Sequence, residues 1–381
     1  AITVNTGGFS KAELNEIESK AKQLGVKDYK VQDVTHDYYE RCIKYLIFGN
    51  VLKNNSYPLS VSAERVFQAM AVAEYAKSIN ADFVAHGSTG AGNDQVRFDM
   101  IFNIVVPEAK IITPIRDNKL SREEEIEYLK AHGVEIDAAK AQYSVNQGIW
   151  GTSVGGKETL GSRETLPEHA YPTQKEKEDE LELSIEFFKG EPVKVNDEFF
   201  AHPTALIEWL NKLTAPYAIG RDIHVGDTII GIKGRVGFEA AAPLLIIKAH
   251  HLLEKHVLTK QQLFWKDHLA SPYGNYLHEG LFYEPVMRDI EAFLESTQQH
   301  VTGKVFIKVK PYRFELIGIE SKYDLMSNKF GSYGEMNNAW SGEDVKGFAK
   351  IFSNQIMIWQ KVKQSNDCLL YTSDAADEAK C

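Results

Sequence analysis

Residues 86–99, HGSTGAGNDQVRFD, bring several chemically active side chains together within one short segment. The glycines leave room for a ligand to approach backbone N–H groups. Asp94 offers a carboxylate for an ammonium group, and Arg97 offers a guanidinium for a carboxylate. Neither the P-loop pattern nor the full dinucleotide fingerprint is present. Spacing alone leaves three possibilities: a phosphate cradle, a substrate clamp, or a tight loop whose Asp and Arg form a local ion pair.

The elements around this segment predict that it lies at the edge of a parallel sheet. Residues 1–115 alternate strand and helix patterns, which is typical of parallel strands with crossover helices. Capping boxes at Ser10 and Ser121 predict helix starts. Further helices are predicted in HDYYERCIKYLIFG and AERVFQAMAVAEYAKSIN, and strands in AITVN, DYKVQDV, ADFVAHG and AKIITPI. The segment 86–99 follows ADFVAHG, and ligands of such sheets bind beyond the carboxyl ends of strands.

The pattern changes from about residue 140. LELSIEFFKGEPVKVN and GKVFIKVKPYRFELIGIES predict antiparallel hairpins, and HPTALIEWLNKLTAPY and AAAPLLIIKAHHLLEKHVL predict helices between them. A helix in GEDVKGFAKIFSNQIMIWQKV has more apolar surface than an isolated tail would expose. The segment CLLYTSDAADE resembles the translated read-through of a sequencing adapter, so we expect a non-native, unstructured end. The expected divisions are a parallel α/β domain, an α+β domain, a C-terminal helix that packs on another domain or subunit, and a disordered tail, at 1–138, 139–340, 341–362 and 363–381.

Composition narrows the class of protein. The 381 residues carry a formal net charge of -10 and 43% hydrophobic residues, which suits a large folded core and disfavours nucleic acid or an anionic membrane as partner. No run is apolar and long enough to span a bilayer. Cys42, Cys368 and Cys381 make neither a disulfide framework nor a zinc site, so we expect a reducing compartment, the cytoplasm.

Several segments in the same order give the chain a family resemblance. With HGSTGAGNDQVRFD, the segments YPLSVSAER (57–65), YSVNQGIWGTS (143–153) and GRDIHVGDTIIGIKGR (220–235) resemble the argininosuccinate synthase family. The likeness extends from residue 1 to about residue 362. It implies an α/β fold: an ATP pyrophosphatase-type nucleotide-binding domain, an α+β synthetase domain and a C-terminal helix through which homotetramers form.

The resemblance also implies an activity. Members of the family join L-citrulline to L-aspartate and convert ATP, with Mg²⁺, to AMP and pyrophosphate. The ureido oxygen of citrulline attacks the α-phosphate to give an adenylated intermediate, and the aspartate amine then displaces AMP. A site that holds two amino acids beside a triphosphate needs groups that bind carboxylates, groups that bind ammonium and backbone hydrogen-bond donors. The residue types in the segment 86–99 suit these needs.

Roles for individual residues come from the same resemblance. We expect Asp94 to hold the aspartate ammonium and to help deprotonate that amine as a catalytic residue. We expect no metal-binding site formed by side chains of the protein itself. The expected contacts are Tyr57, Ser62, Asn93, Arg97, Ser144 and Ser153 for citrulline; Thr89, Asn93 and Asp94 for aspartate; and Thr6 and Gly87 for ATP.

Each assignment has a purely structural alternative. Tyr57, which precedes a proline, could be a core aromatic that anchors a turn, and Ser144 and Ser153 could be caps or loop residues. Arg65, on a helix that is otherwise apolar on one face, could support the site, although we expect it to be a surface arginine. His250 and His251 are adjacent on a predicted helix and do not share a face, so a metal site there is not expected.

The sequence departs from the family at two kinds of position. A family glutamate and tyrosine that reach citrulline are replaced here by Gly226 and Phe238, and Asp227 or Glu239 could compensate. A Ser-Gly-Gly-x-Asp-Thr pyrophosphatase loop, with its strand and helix, is absent from this sequence; the missing piece is on the order of 30 residues. We therefore expect this polypeptide alone to be inactive or nearly so.

Two other functions fit the sequence less well. One is a different ATP pyrophosphatase-type ligase that acts on a nucleobase or tRNA, which the acidic charge disfavours. The other is a non-catalytic pseudoenzyme or assembly subunit.

Overall fold

The computed structural model describes residues 1–134, 143–326, 333–335 and 339–377. Contacts divide the chain into two compact units, Ala1–Asp324 and Leu325–Cys381. The expected boundary at 138/139 lies outside the described residues. The first unit contains both the part predicted to bind a nucleotide and the α+β part, and one hydrophobic core includes residues of both.

The predicted parallel strand pairs are present at the start of the chain. Strand β1 (Ile2–Asn5) pairs in parallel with β2 (Lys30–Asp33), and helix α1 (Lys11–Gln23) crosses between them. The Ser10 capping box is confirmed, since the Glu13 amide donates to Ser10 Oγ at 3.3 Å and the Ser10 amide donates to the Glu13 carboxylate at 2.7 Å.

A second parallel pair positions the segment 86–99. Strand β3 (Phe83–Ala85) pairs with β4 (Lys110–Ile112), and α5 (Asp94–Val105) crosses between them. Between the two pairs lie α2 (Thr35–Tyr38), a π-helical turn (Tyr39–Ile43), α3 (Lys44–Phe48) and α4 (Ser60–Ser78). After β4 come α6 (Pro114–Asp117) and α7 (Arg122–Ala131), with the predicted capping box at Ser121.

Helix α4 is the buried centre of this half. Its predicted apolar face, Val66, Phe67, Met70, Ala73 and Ala76, is buried throughout. The burial extends to other sides of the helix because neighbouring helices and strands surround it, so polar side chains on α4 are enclosed as well.

Two antiparallel sheets form the α+β part. The five-stranded sheet has the order β13-β12-β7-β8-β9 and contains both predicted hairpins. Its strands are β7 (Leu181–Phe188), β8 (Glu191–Val195), β9 (Glu198–Phe199), β12 (Gly303–Lys310) and β13 (Arg313–Glu320). The four-stranded sheet has the order β10-β11-β6-β5 and was not predicted. Its strands are β5 (Ser144–Gly148), β6 (Gly151–Gly155), β10 (Arg221–Asp227) and β11 (Lys233–Glu239).

Four helices pack with these sheets: α8 (Pro203–Thr214), α9 (Ala241–Val257), α10 (Lys260–His278) and α11 (Pro285–Thr297). Single turns of 3₁₀ helix lie at Lys157–Thr159, Glu168–Ala170, Ala215–Tyr217 and Gln298–His300. On α9, His250 is fully buried between Asn50 and Gln298, to which its two ring nitrogens hydrogen bond at 2.7 and 2.9 Å. Its role is therefore structural.

The second unit differs from the sequence prediction in two ways. The predicted single helix is two, α12 (Gly342–Phe352) and α13 (Asn354–Asp377). Helix α13 runs through much of 363–381, where we expected no structure, and the alanines and leucines there are good helix formers. Apolar side chains on both helices are exposed in the single chain, including Phe348, Ile351, Phe352, Ile356, Ile358 and Trp359. None of the described helices combines the length and hydropathy needed to cross a membrane.

Candidate active site

The loop that follows β3 is fixed at its ends and open in the middle. His86 Nε2 lies 2.8 Å from Asp99 on α5, and Arg116 Nη1 donates to the other oxygen of Asp99 at 2.6 Å. The Gln95 side-chain amide donates to the Gly90 carbonyl at 2.6 Å. Thr89 is exposed, and open space surrounds the position where Gly87 would carry a Cβ. The predicted ATP contact Gly87 and aspartate contact Thr89 therefore lie on an accessible loop.

Asp94, the first residue of α5, lies between two arginines. Arg97 Nη1 is 2.9 Å from Asp94 Oδ1, and Arg65 Nε is 3.0 Å from Asp94 Oδ2. Arg65 also donates from Nη2 to Asn146 Oδ1 on β5 at 2.6 Å. The expectation that Arg65 is a surface arginine is wrong, because its side chain is only 15% exposed and joins α4, α5 and β5.

Six of the predicted residues line one cavity of about 260 Å³. They come from the turn before α4, from α4 itself, from the start of α5 and from β6, which the four-stranded sheet brings alongside. The six are Tyr57, Ser62, Asn93, Asp94, Arg97 and Ser153. The local Asp94–Arg97 ion pair, one of the three possibilities raised by the sequence, therefore exists and forms part of a cavity wall.

Several of these side chains already have partners. Asn93 Oδ1 accepts from the Ile229 amide at 2.8 Å, which ties the start of α5 to the loop between β10 and β11. Tyr57 is buried, and its hydroxyl accepts from the Val61 amide at 3.1 Å. The alternative that Tyr57 anchors a turn is thus partly correct, since it caps the first turn of α4 while it lines the cavity.

Four predicted residues do not line this cavity: Gly87 and Thr89 on the open loop, and Ser144 and Thr6. Ser144 is exposed on β5, two residues before Asn146. Thr6 is buried just after β1, where its carbonyl accepts from the Ile149 amide at 3.0 Å. Its neighbours Asn5 and Gly7 line a larger cavity of about 1050 Å³ at the carboxyl ends of β1 and β2. The size and position of this larger cavity suit a nucleotide.

Two histidines that the sequence reasoning missed also line the smaller cavity. Ser62 Oγ lies 2.9 Å from His278 Nδ1, and Arg97 donates from Nε to the His278 carbonyl at 2.9 Å. Burial lowers the pKa of His278 to about 3, with Arg97 and Lys53 adding to the effect. Burial, and then Lys53, lowers the pKa of His224 to about 4. Both imidazoles are therefore neutral at physiological pH.

One buried carboxyl group lies just behind the Asp94 cluster. Burial raises the pKa of Glu64 to about 7, against the opposing effects of Arg65 and of a hydrogen bond from Thr6. Glu64 Oε1 accepts from the Gln68 amide at 2.8 Å. Backbone packs tightly against the other oxygen, since a Cβ at Gly148 would lie 2.1 Å from Oε2.

Comparisons with known proteins identify the family. Residues 1–135 match the model described as Arginosuccinate synthase N-terminal HUP domain, and residues 143–359 match Arginosuccinate synthase C-terminal domain. The chain belongs to the argininosuccinate synthase family. Among relatives named argininosuccinate synthase, the protein of Methanocaldococcus jannaschii is 36% identical over 364 residues, 94% of this chain and 90% of the relative. The protein of Dictyoglomus turgidum is 37% identical over 356 residues, which are 93% of this chain and 89% of the relative. The protein of Xylella fastidiosa is 33% identical over 376 residues, which are 96% of this chain and 91% of the relative.

Membership of the argininosuccinate synthase family confirms the predicted α/β fold, with a HUP domain followed by a synthetase domain. The two matched regions correspond to the parallel strand pairs and to the antiparallel sheets described above. The cavity of 260 Å³ is lined from both regions.

The structure also shows the surroundings of Gly226 and Phe238, the two positions where the sequence was expected to depart from the family pattern. A Cβ at Gly226 would lie only 2.4 Å from His224 Nε2, so the imidazole occupies the space where a side chain at 226 would begin. Phe238 is buried against the Tyr57 ring at 5.4 Å. Of the two suggested replacements, Asp227 lines the cavity, whereas Glu239 pairs with Arg221 at 2.9 Å and does not line it.

In the described part of the chain, no group of three or more His, Cys, Asp and Glu side chains is placed to hold a metal ion.

Proposed function

We propose that this chain is an argininosuccinate synthase, which ligates L-citrulline and L-aspartate through a citrullyl-AMP intermediate and releases AMP and pyrophosphate. The observation that carries the proposal is the Arg65–Asp94–Arg97 cluster beside a small cavity at the carboxyl end of a parallel strand. The relatives named argininosuccinate synthase support the same reaction over more than nine-tenths of the chain.

The smaller cavity is proposed to hold citrulline. Arg97 would present its guanidinium to the citrulline carboxylate, because that group is buried and already oriented by Asp94 and the His278 carbonyl. Hydroxyl and amide groups around it would hydrogen bond the ureido and α-amino groups. These are Tyr57, Ser62, Asn93 and Ser153, with Ser144 at the exposed end of β5.

Aspartate is proposed to bind between the open loop and the start of α5. Thr89 and Asn93 would contact its carboxylates, and Asp94 would accept a hydrogen bond from its amine. Because Arg65 and Arg97 each hold one oxygen of Asp94, its carboxylate has a fixed direction toward the cavity. Asp94 would then take part in removing the proton that the amine must lose before it attacks.

ATP is proposed to occupy the larger cavity, with Thr6 and Gly87 near it. The ureido oxygen attacks the α-phosphate and pyrophosphate leaves; the aspartate amine then attacks the ureido carbon and AMP leaves. Mg²⁺ bound to the phosphates would neutralise charge as pyrophosphate departs. The protein's own contribution would be alignment, since the loop 86–93 carries both Gly87, assigned to the nucleotide, and Thr89 and Asn93, assigned to the amino acids.

Assembly and location form part of the proposal. The exposed apolar side chains of α12 and α13 support a homotetramer formed through these helices. We place the protein in the cytoplasm, where ATP is available. Light scattering of the purified chain tests the assembly: a tetramer that dissociates in a Trp359→Lys variant is expected, and a monomeric parent chain would contradict it.

Calorimetric titration tests the substrate assignment. L-citrulline should give saturable heat, and Arg97→Ala should weaken citrulline more than ATP. Arg313→Ala is the matched control because this arginine is exposed on a hairpin of the other sheet. Absence of any citrulline-dependent heat would overturn the assignment and favour another ligase or a non-catalytic subunit. Argininosuccinate formation, followed by mass spectrometry, would confirm the reaction and contradict the expectation that this chain is inactive.

A further inference from the structure

The side chain of Gln95 holds the backbone of the open loop after β3. Its amide nitrogen Nε2 donates to the Gly90 carbonyl at 2.6 Å and to the Gly92 carbonyl at 3.2 Å. Gln95 is buried, whereas Gly90 is exposed and Gly92 is half-buried. One buried amide therefore uses both of its hydrogens on the stretch of loop between Thr89 and Asn93, the two loop residues assigned to aspartate.

A second side chain fixes the direction in which the Gln95 amide faces. Arg116 Nη1 donates to Gln95 Oε1 at 3.4 Å. Because arginine has only donors, the amide oxygen must face Arg116 and the amide nitrogen must face the loop. Arg116 is itself anchored by Asp99, whose carboxylate accepts from the same Nη1 at 2.6 Å. The partners on both sides of the Gln95 amide thus require the same orientation.

Asp99 also ties this group to the first residue of the loop. Its other oxygen lies 2.8 Å from His86 Nε2, and the Ser88 amide donates to His86 Nδ1 at 3.3 Å. Because Nδ1 accepts this bond, the ring hydrogen is on Nε2, which donates to Asp99. The start and the middle of the loop are therefore held by one connected group of side chains on α5 and α6.

The two held carbonyls set the direction of two N–H groups. The peptide bonds after Gly90 and Gly92 are trans, and across a trans peptide bond the C=O and the following N–H point in opposite directions. The N–H groups of Ala91 and Asn93 therefore point away from the buried Gln95 side chain. Among the described residues, no backbone carbonyl accepts from either N–H. Ala91 is exposed, so a substrate can reach this side of the loop.

We propose that Gln95 is a positioning residue of the ligase reaction, which turns the Ala91 and Asn93 N–H groups toward an oxyanion of a substrate. Gln95 lines neither the smaller nor the larger cavity, so it acts through the loop. The inference rests on the proposed function, which places aspartate and the nucleotide at this loop. A carboxylate of L-aspartate is the expected oxyanion, because Thr89 and Asn93 are assigned to aspartate. A phosphate offers the same chemistry and is the other source, since Gly87 is assigned to the nucleotide.

Two substitutions of Gln95 remove its donors in different ways. Gln95→Glu keeps the size of the side chain and still accepts from Arg116, but it has no N–H group for the Gly90 and Gly92 carbonyls. Gln95→Met removes the donors without adding charge. In calorimetry with the full chain, we expect both variants to weaken L-aspartate about tenfold, the scale of one lost hydrogen bond of about 1.4 kcal/mol. The affinity for L-citrulline should change less than about threefold, because Arg97 and Tyr57 are held by other partners.

The nucleotide arm of the experiment compares AMP with adenosine, which lacks the phosphate. A loss for AMP that is absent for adenosine would support the proposal with phosphate as the oxyanion. Gln23→Glu and Gln23→Met are the matched controls, because Gln23 is exposed at the end of α1. Equal losses for citrulline and the anionic ligands would show a general structural effect and would overturn the proposal. Unchanged affinity for both L-aspartate and AMP would also overturn it and would leave the proposed function standing.

A measurement on the parent chain tests the N–H groups without any substitution. With isotope-labelled alanine, the amide proton signal of Ala91 should move downfield when L-aspartate or AMP is added. A signal that neither ligand moves would contradict the proposal. No heat from L-aspartate, AMP or L-citrulline with the parent chain would overturn the proposed function, and this inference with it.

Discussion

Arg65 Nε and Asp94 Oδ2 lie 3.0 Å apart and join the central helix α4 to the first residue of α5. The same guanidinium donates to Gln68 and to Asn146, so all three of its nitrogens are used. Arg65 does not line the cavity that Asp94 lines. We infer that it is a positioning residue, which sets the direction of the Asp94 carboxylate.

Removing this support should weaken ligand binding. In Arg65→Ala, Asp94 keeps only Arg97 as a partner, and we expect citrulline affinity measured by calorimetry to fall about tenfold, in line with the loss of a charged hydrogen bond. Arg65→Lys should recover part of the loss, because an ammonium can replace the contact to Asp94 but not the fork to Asn146. A purely structural role would instead lower the thermal midpoint without changing the ratio of citrulline to ATP affinity.

Replacing Glu64 should alter the pH dependence of stability. Its pKa is raised by burial from 4.5 to about 7, so the folded state holds this proton more tightly than the unfolded state. The contribution of this proton to the free energy of unfolding is complete below pH 4.5 and is lost as the pH rises through 7. Glu64→Gln removes this dependence, and the variant should be more stable than the parent above pH 7, by an amount on the order of 3 kcal/mol at most.

Urea unfolding at several pH values between 5 and 8 checks this prediction. Glu178→Gln is the control, because its side chain is 77% exposed. A difference between Glu64→Gln and the parent that stays constant across this range would contradict the raised pKa.

Two glycines with positive φ should differ in their tolerance of alanine. Gly220 (φ +73) has no room, since a Cβ would lie 2.6 Å from the Ala240 carbonyl oxygen, whereas nothing lies within 4 Å of a Cβ at Gly25 (φ +83). Both variants should lose about 1–2 kcal/mol of unfolding free energy, because alanine is strained in the left-handed backbone conformation. Gly220→Ala should lose about 1–3 kcal/mol more from overpacking against backbone. Equal unfolding free energies for the two variants would contradict the close approach.

Local sequence patterns predicted the elements that carry strong periodicity. The capping boxes at Ser10 and Ser121 and the apolar face of α4 are where the sequence indicated. The four-stranded sheet was missed because its strands are rich in glycine and charge, and it depends on pairing between distant segments such as Glu239 with Thr152.

Contacts between distant parts of the chain also limited the prediction of the candidate site. Six residues of the cavity were predicted because they lie in segments that resemble a family. Arg65 was expected at the surface, with support of the site as the alternative, and His278 was missed. Their roles arise from contacts 29 and 181 residues away along the chain, with Asp94 and Arg97. Nothing in the spacing of a single histidine distinguishes a cavity wall from a core position.

A substitution at Gly226 tests how tightly the His224 ring packs against this position. A methyl group there would lie 2.4 Å from His224 Nε2, so Gly226→Ala must displace the ring from its stack on Tyr57. We expect a loss of about 1–3 kcal/mol in unfolding free energy. Gly234 pairs with Gly226 across β10 and β11 and has open space around its Cβ position, so Gly234→Ala should be neutral or slightly stabilising. Combining Gly226→Ala with His224→Ala removes the clash, and the double variant should be more stable than the sum of the single effects predicts. Additive losses in that cycle would show that the two positions do not share space.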